Sequence, residues 1–443
     1  MAFAAARLDG EFSIPRVRAA PALEVSPAYS RAMAATLYLA GSIFILAVAA
    51  SSWFQARRIG PLVPVYFFTG WLAGELALQV VAVGVLVTLA FAALGAFAEP
   101  RGLIGLALSL AAWGLLLATH FRAQGAKREI EALAREAGLA IEHGDVSRTH
   151  GFSNPFAMKR AGVKRIRHVP YGDSLPGDKG GRNLLDIVMP EAPGSGRPIL
   201  LQIHGGGWMI GDKREQGGPL MGHLASRGWV CFAINYRLSP QAKFPAHIVD
   251  VKRALRWIRE HAHEYGADPR FICVTGGSAG GHLTALTALS QNDPAFQPGF
   301  ESADTRVSAA VPFYGVYDFL DRAKIRGRQS MVSILTKYVF PCPPDENPEL
   351  WDAACPITRV AADAPPFLVV QGTHDTLVFV EEAREFVRAL REKSRAPVHY
   401  LEMKGAQHAF EIFHSARCQY AVRAAAAFLE AEHAKYRAGQ RAA

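Results

Sequence analysis

Cysteine is scarce in this chain, five in 443 residues, and no Cys or His pair has metal-ligand spacing, so no metal site is expected. Cys231 and Cys273 fall in predicted buried strands and read as inert core residues. Cys342 and Cys355 flank the loop Pro343–Pro348. A bridge between them would mark an exported domain, and two free thiols are the other reading. Nucleic-acid motifs are missing too. The net charge is +9, but the basic residues are dispersed and no basic run is interleaved with aromatics. Attraction to an anionic membrane surface is the simpler use of such charge. No internal repeat is present. The first 120 residues also lack charge over long stretches, and that absence shapes the rest of the reading.

Met33–Phe54 carries no charged residue and is long enough to span a bilayer. Leu62–Ala98 is broken only by Glu75 and Gln79, and Leu103–Thr119 is a third apolar tract. The middle tract has 37 residues, roughly 55 Å as a helix. That is too long for one straight crossing and barely enough for two. Either Gly70, Gly74 and Glu75 mark a tight turn, giving four spans, or Leu62–Trp71 lies at the interface and only Leu76–Ala98 crosses, giving three. A cleaved signal ending at Ala47-Val48-Ala49 fits poorly, because some thirty residues precede its apolar run. Glu75 is expected at a helix end among the headgroups.

Sidedness follows from the count. Arg16, Arg18 and Arg31 precede the first tract, Arg57, Arg58 and Arg101 lie in the loops, and Arg122, Lys127, Arg128 and Arg135 follow the last. Four spans would put both flanks on the cytoplasmic side, whereas three leave the positive residues of the two sides nearly balanced. The expectation leans to a cytoplasmic C-terminal domain. The chain thus divides into a tail (1–31), three or four transmembrane helices (32–120), a connector or cap helix (121–160) and a C-terminal domain (161–443).

The C-terminal part alternates strands with helices, which implies an α/β fold with a mostly parallel sheet of about eight strands covered on both faces. Strands are expected at Leu184–Met189, Ile199–Ile203, Val230–Asn235, Phe271–Thr275, Ala309–Phe313, Phe367–Gln371 and Val398–Met403. The clearest helices are Ile248–Tyr265, Gly281–Leu289, Val380–Lys393 and Ala416–Lys435.

Between one such strand and helix lies Gly276-Gly277-Ser278-Ala279-Gly280. A turn this sharp admits only small neighbours and thrusts the serine hydroxyl out at the sheet edge, the form of a nucleophile elbow. His204-Gly205-Gly206-Gly207-Trp208 follows another strand. Three glycines remove every Cβ, so backbone N–H groups can approach a ligand oxygen. An oxyanion hole built from the amides of Gly206, Gly207 and Ala279 is expected. Asp375 and His408 each follow the end of a later strand, where open parallel sheets place their sites. The order Ser278, Asp375, His408 supplies a nucleophile, a base and a group that fixes the base's tautomer. His374, His399 and His414 are rival bases, with His399 more structural inside its strand. His204 reads as a brace for the glycine turn, and Asp250 as a structural ion-pair or hydrogen-bond partner.

Taken together, these motifs resemble the hormone-sensitive-lipase-type branch of the α/β-hydrolases over about Asn183 to Phe428. The resemblance is carried by His204–Trp208, Tyr236-Arg237-Leu238-Ser239-Pro240, Phe244-Pro245-Ala246, Asp250, Gly276–Gly281, Asp375 and Gln407-His408. Thr376 and Leu377 stand after Asp375, where many members have a proline. The resemblance implies a serine carboxylesterase or lipase with no metal or organic cofactor. The whole chain then reads as a membrane-anchored hydrolase whose partners are a small-molecule or lipid ester and membrane lipid. Trp208, Phe313 and Tyr314 are candidate pocket walls or core aromatics. Prenyl-protein methylesterases and lipid or sugar deacetylases share the machinery. A membrane transport or binding protein with a hydrolase-like domain is the reading from another class.

Overall fold

The computed structural model describes residues 26–54, 62–142, 154–156, 160–178, 180–327 and 330–442. The tail before Ser26 with Arg16 and Arg18, the loop with Arg57 and Arg58, and parts of the 121–160 connector lie outside the described residues.

Helix α1 spans Pro27–Ser51, with Ser26 as N-cap and Pro27 at its first turn. Helix α4 spans Pro100–Gln124 and continues, after Gly125, into α5 (Ala126–Ala137). Pro27–Ser51 and Pro100–Ala137 are both long and apolar enough to cross a membrane. The middle tract forms α2 (Val63–Glu75) and α3 (Ala77–Ala93), bent by 93° at Leu76. Small residues let these helices approach closely. A Cβ on Gly105 would come within 2.9 Å of the Tyr38 ring, and one on Gly84 within 2.6 Å of the Trp113 indole nitrogen. Hydroxyls bridge the bundle, Tyr38 to Thr88 at 2.9 Å, Ser42 to Ser109 at 2.9 Å and Ser52 to Thr119 at 3.0 Å.

Glu75 is the last residue of α2, the helix end expected for it. Its side chain is fully buried and ion-paired to Arg417 at 2.9 Å, a partner more than 340 positions along the chain. The helix end is as expected, but the side chain faces protein rather than headgroups: a carboxylate shut away from water requires a cation, and Arg417 supplies it.

The strands are β1 (Val163–Pro170), β2 (Leu184–Pro190), β3 (Arg197–Ile203), β4 (Val230–Ile234), β5 (Ala267–Gly277), β6 (Ala309–Phe313), β7 (Phe367–Gly372) and β8 (Val398–Met403). They form one sheet in the order β1-β2-β4-β3-β5-β6-β7-β8. β1 and β2 are antiparallel to their neighbours and the rest are parallel. Alternation along the strands feeds two cores. Ile199, Leu201 and Ile203 face the first, packed under α7 (Ala246–His261), α8 (Ala279–Leu289) and α11 (Val380–Lys393). Leu200, Cys231 and Cys273 face the second, under α6 (Gly218–Ser226) and α12 (Ala416–Ala442). Helix α5 puts Ile130 and Leu133 into that second core, so this part of the connector covers the sheet rather than capping the site. The strand not foreseen is β1, where Lys164, Arg165 and Arg167 obscure the alternation of a half-exposed edge. All five cysteines are free thiols, Cys342 and Cys355 included.

Candidate active site

The register of the sheet brings the sequence motifs together. Ile203 at the end of β3 pairs with Gly276 of β5, and Gly277 pairs with Phe313 of β6. The glycine turn, the elbow and Tyr314 therefore leave the sheet side by side.

Ser278 adopts φ 58°, ψ −121° between β5 and α8. A side chain in this left-handed region is strained and persists only where the surroundings over-determine it. Here they do. A Cβ on Gly276 would meet the Ile203 carbonyl at 2.4 Å, and one on Gly280 would meet it at 2.2 Å. The Ser278 amide donates to the Phe313 carbonyl at 3.0 Å. The serine itself is half-buried while its neighbours are shut in.

Gly205 packs against it, so close that a Cβ there would lie 3.1 Å from the Ser278 Cβ. Gly206 and Gly207 both have positive φ, 116° and 60°. The amides of Gly206, Gly207 and Ala279 enter no hydrogen bond among the described residues, whereas the Gly205 amide is taken by Gln216 at 2.6 Å. His204 braces the turn: its Nδ1 lies 2.7 Å from the Gly205 carbonyl, and its ring stacks on Tyr236 at 4.3 Å.

Asp375 and His408 follow β7 and β8, which are parallel neighbours, so both loops open at the same edge. The His408 Nδ1 lies 2.7 Å from Asp375 Oδ2. Asp375 is fully buried. Its Oδ1 accepts from the Leu377 and Val378 amides at 2.9 and 2.8 Å, and its Oδ2 also accepts from Gln371 Nε2 at 3.1 Å. Gln407 ties the two loops together, its Oε1 accepting from the Thr376 amide at 2.8 Å and the His408 amide at 2.9 Å. Gln371 was not foreseen. It sits mid-pattern at a strand end, and only the fold shows that its amide faces the carboxylate.

The rivals are placed elsewhere. His374 Nδ1 lies 3.2 Å from the Ser52 carbonyl at the end of α1. His399 packs edge-on to Phe428. Asp250 is paired with Arg237 at 2.8 Å. Of the candidate wall residues, Trp208 is buried with its indole donating to His282 at 3.2 Å, and Phe313 is buried within β6. Tyr314 stacks obliquely on His408, ring centres 4.5 Å apart, and its hydroxyl donates to buried Glu411. Burial raises the Glu411 carboxyl.

Burial also depresses three imidazoles around the site, His204 to about 4, His247 to about 3 and His282 to about 4. They stay neutral in the folded protein, while the unfolded chain takes up protons below about pH 6.5. Stability is therefore present above that pH and lost as pH falls from 6.5 towards 4. The thermal midpoint is expected to be level near pH 7.5 and to fall by many degrees by pH 4.5. A midpoint unchanged across that range in a calorimetric scan would refute the assignment of neutral buried rings.

The BD-FAE family model matches residues 185–390, a stretch that holds Ser278 and Asp375 but stops before His408. In Mycobacterium tuberculosis, the probable carboxylic ester hydrolase LipM is 51% identical over 270 residues, which cover 60% of this chain and 62% of LipM. The esterase LipC of the same organism is 42% identical over 282 residues, covering 62% of this chain and 68% of LipC. The aligned part thus spans less than two thirds of LipM's own length. A truncated carbohydrate esterase from gut microbiota has the same fold, with TM-score 0.51 at 23% identity over 61% of this chain and 96% of that one.

Proposed function

Since this chain belongs to the α/β-hydrolase family of carboxylic ester hydrolases that includes LipC, we propose that it is a membrane-anchored serine carboxylesterase acting on hydrophobic or lipid esters. The observation that carries the reading is the 2.7 Å Asp375–His408 contact at the sheet edge where Ser278 emerges.

In this reading the Ser278 hydroxyl attacks the acyl carbon and passes its proton to His408 Nε2. The carbonyl π electrons move onto oxygen, and the amides of Gly206, Gly207 and Ala279 stabilise that oxyanion. Collapse expels the alcohol, which takes the proton from His408. Water then gives its proton to His408 and attacks the acyl-enzyme, and the acid departs as Ser278 is reprotonated. Asp375 holds the imidazole with its proton on Nδ1 and stabilises the imidazolium.

Anchoring rests on the two long apolar helices. Helix α2, with 13 residues, would span only about 20 Å, well short of a hydrocarbon core of about 30 Å, whereas α3, with 17, stands at the lower limit of roughly 17 residues for a crossing helix. Three crossing segments, α1, α3 and α4, are the arrangement we favour. With three crossings the positive residues nearly balance, so the lean to a cytoplasmic catalytic face is not carried further.

A serine-directed fluorophosphonate and a p-nitrophenyl ester series from C2 to C16 test the reading on detergent-solubilised protein. The expected result is one adduct, on the Ser278 peptide, and an optimum at medium or long chains. Labelling of some other residue would remove the esterase assignment and favour a non-catalytic binding or transport role. Prenyl-cysteine methyl esters and acetylated sugars in the same series separate the methylesterase and deacetylase alternatives.

A further inference from the structure

Helix α2 is bent by 93° from α3. It packs on the loop that carries His408. That loop, residues 404–415, is held at three points. At its start, Arg417 Nε donates to the Lys404 carbonyl at 3.3 Å, and its Nη1 donates to both the Gly74 carbonyl at 3.0 Å and Glu75 at 2.9 Å. At its end, Ser415 donates to the other Glu75 oxygen at 2.6 Å. In its middle, the Trp71 indole N–H donates to the Ala409 carbonyl at 2.9 Å, and the Trp71 ring packs on Phe413 at 4.6 Å. Ala409 immediately follows His408 and has φ 61°, a conformation costly for any residue with a Cβ. Such strain persists where neighbours impose it, and Trp71 is one of the neighbours that do.

The remaining contacts point the same way. Phe67 stands edge-on to the His408 ring at 6.1 Å and stacks on Trp71 at 5.7 Å. Gly70 leaves room for Gln407, whose Nε2 would lie 3.4 Å from a Cβ there. Gln407 is the residue that joins the Asp375 and His408 loops. The buried residues of α2 (Gly70, Ala73, Gly74 and Glu75) all lie in the half that meets this loop.

We propose that α2 is a positioning element of the active site. Through Trp71 and Glu75 it fixes the loop bearing His408, so the membrane helices and the hydrolase sheet form one catalytic unit rather than an anchor and a passenger. The proposal rests on the esterase reading above. Neither residue touches the reacting atoms; each acts through the backbone of the loop. A base displaced by about 1 Å can cost up to about 100-fold in rate.

The test uses the full chain in detergent or nanodiscs. Trp71→Phe keeps an aromatic ring against Phe67 and Phe413 but removes the N–H together with the five-membered ring that carries it, and Glu75→Gln removes the charge facing Arg417. For p-nitrophenyl butyrate, Trp71→Phe is expected to lower kcat roughly 10-fold and Glu75→Gln by roughly 10- to 100-fold, with KM within about twofold. Phe44→Leu, at an exposed position of α1, is expected to leave both constants unchanged. Should Glu75→Gln fail to fold, Trp71→Phe decides alone. Wild-type kcat in the folded variants, or a change confined to KM, would overturn the proposal. Ser278→Ala run beside them keeps the two readings apart: Ser278-dependent hydrolysis that is indifferent to Trp71 and Glu75 sinks the role of α2 and leaves the esterase standing. Hydrolysis independent of Ser278 removes both.

Discussion

Ser278→Ala is expected to lower kcat for a p-nitrophenyl ester by about 10⁴- to 10⁶-fold, with KM little changed. The size of the effect follows from the chemistry. Without the hydroxyl no acyl-enzyme forms, and only the glycine-turn amides and substrate binding remain, which still leave roughly 10³-fold over water. The substitution is a clean one here. Ser278 already holds a Cβ at φ 58°, so alanine meets no new strain, and no hydrogen bond among the described residues depends on its side chain. The thermal midpoint should therefore stay within a few degrees of wild type while activity disappears. Equal rates in the two proteins would end the nucleophile assignment.

The second large effect is Asp375→Asn, for which kcat is expected to fall by about 10⁴-fold. Every group around the Asp375 carboxylate is a donor: the Leu377 and Val378 amides on one oxygen, Gln371 Nε2 and the His408 ring on the other. Asparagine brings its own N–H₂ into that shell. Turned towards His408, it requires Nδ1 to accept, which places the ring proton on Nε2, the position that must receive the serine proton. Turned the other way, it faces two buried amide donors and leaves them unsatisfied at a cost of about 1–3 kcal/mol. The first orientation fixes the wrong tautomer; the second keeps the proton on Nδ1 but loses the negative charge that stabilises the imidazolium, and it also lowers stability. Rate and thermal midpoint measured together distinguish the two. A variant with wild-type kcat would show that His408 is oriented by something other than Asp375.

How far the sequence reached is clearest from these residues. The elbow and the glycine turn were legible because each is local. A strained serine and a close backbone approach exclude side chains, and glycines at fixed offsets record that exclusion. The central strands were legible because parallel strands covered on both faces are continuous apolar runs. β1 was not, since an exposed edge strand carries charge and loses that signal. Trp208 and Phe313 show the opposite limit: an aromatic near a site reads alike whether it lines a pocket or fills the core, and burial places both in the core.

By itself the sequence determined the alternation of an α/β fold and the apolar helices, written in periodicity, and the local motifs around Ser278, Asp375 and His408 that carry the resemblance to the hydrolases. The tertiary structure decided what lies far apart in the chain and close in space. Glu75 meets Arg417, Trp71 meets Ala409, and Gln371 turns to Asp375. A carboxylate in an apolar tract carries no mark of its partner. Whether it faces headgroups or a buried guanidinium is fixed only when α2 bends away from α3 and the two halves of the chain pack together, because the cost of burying that charge is offset by a cation no local pattern announces.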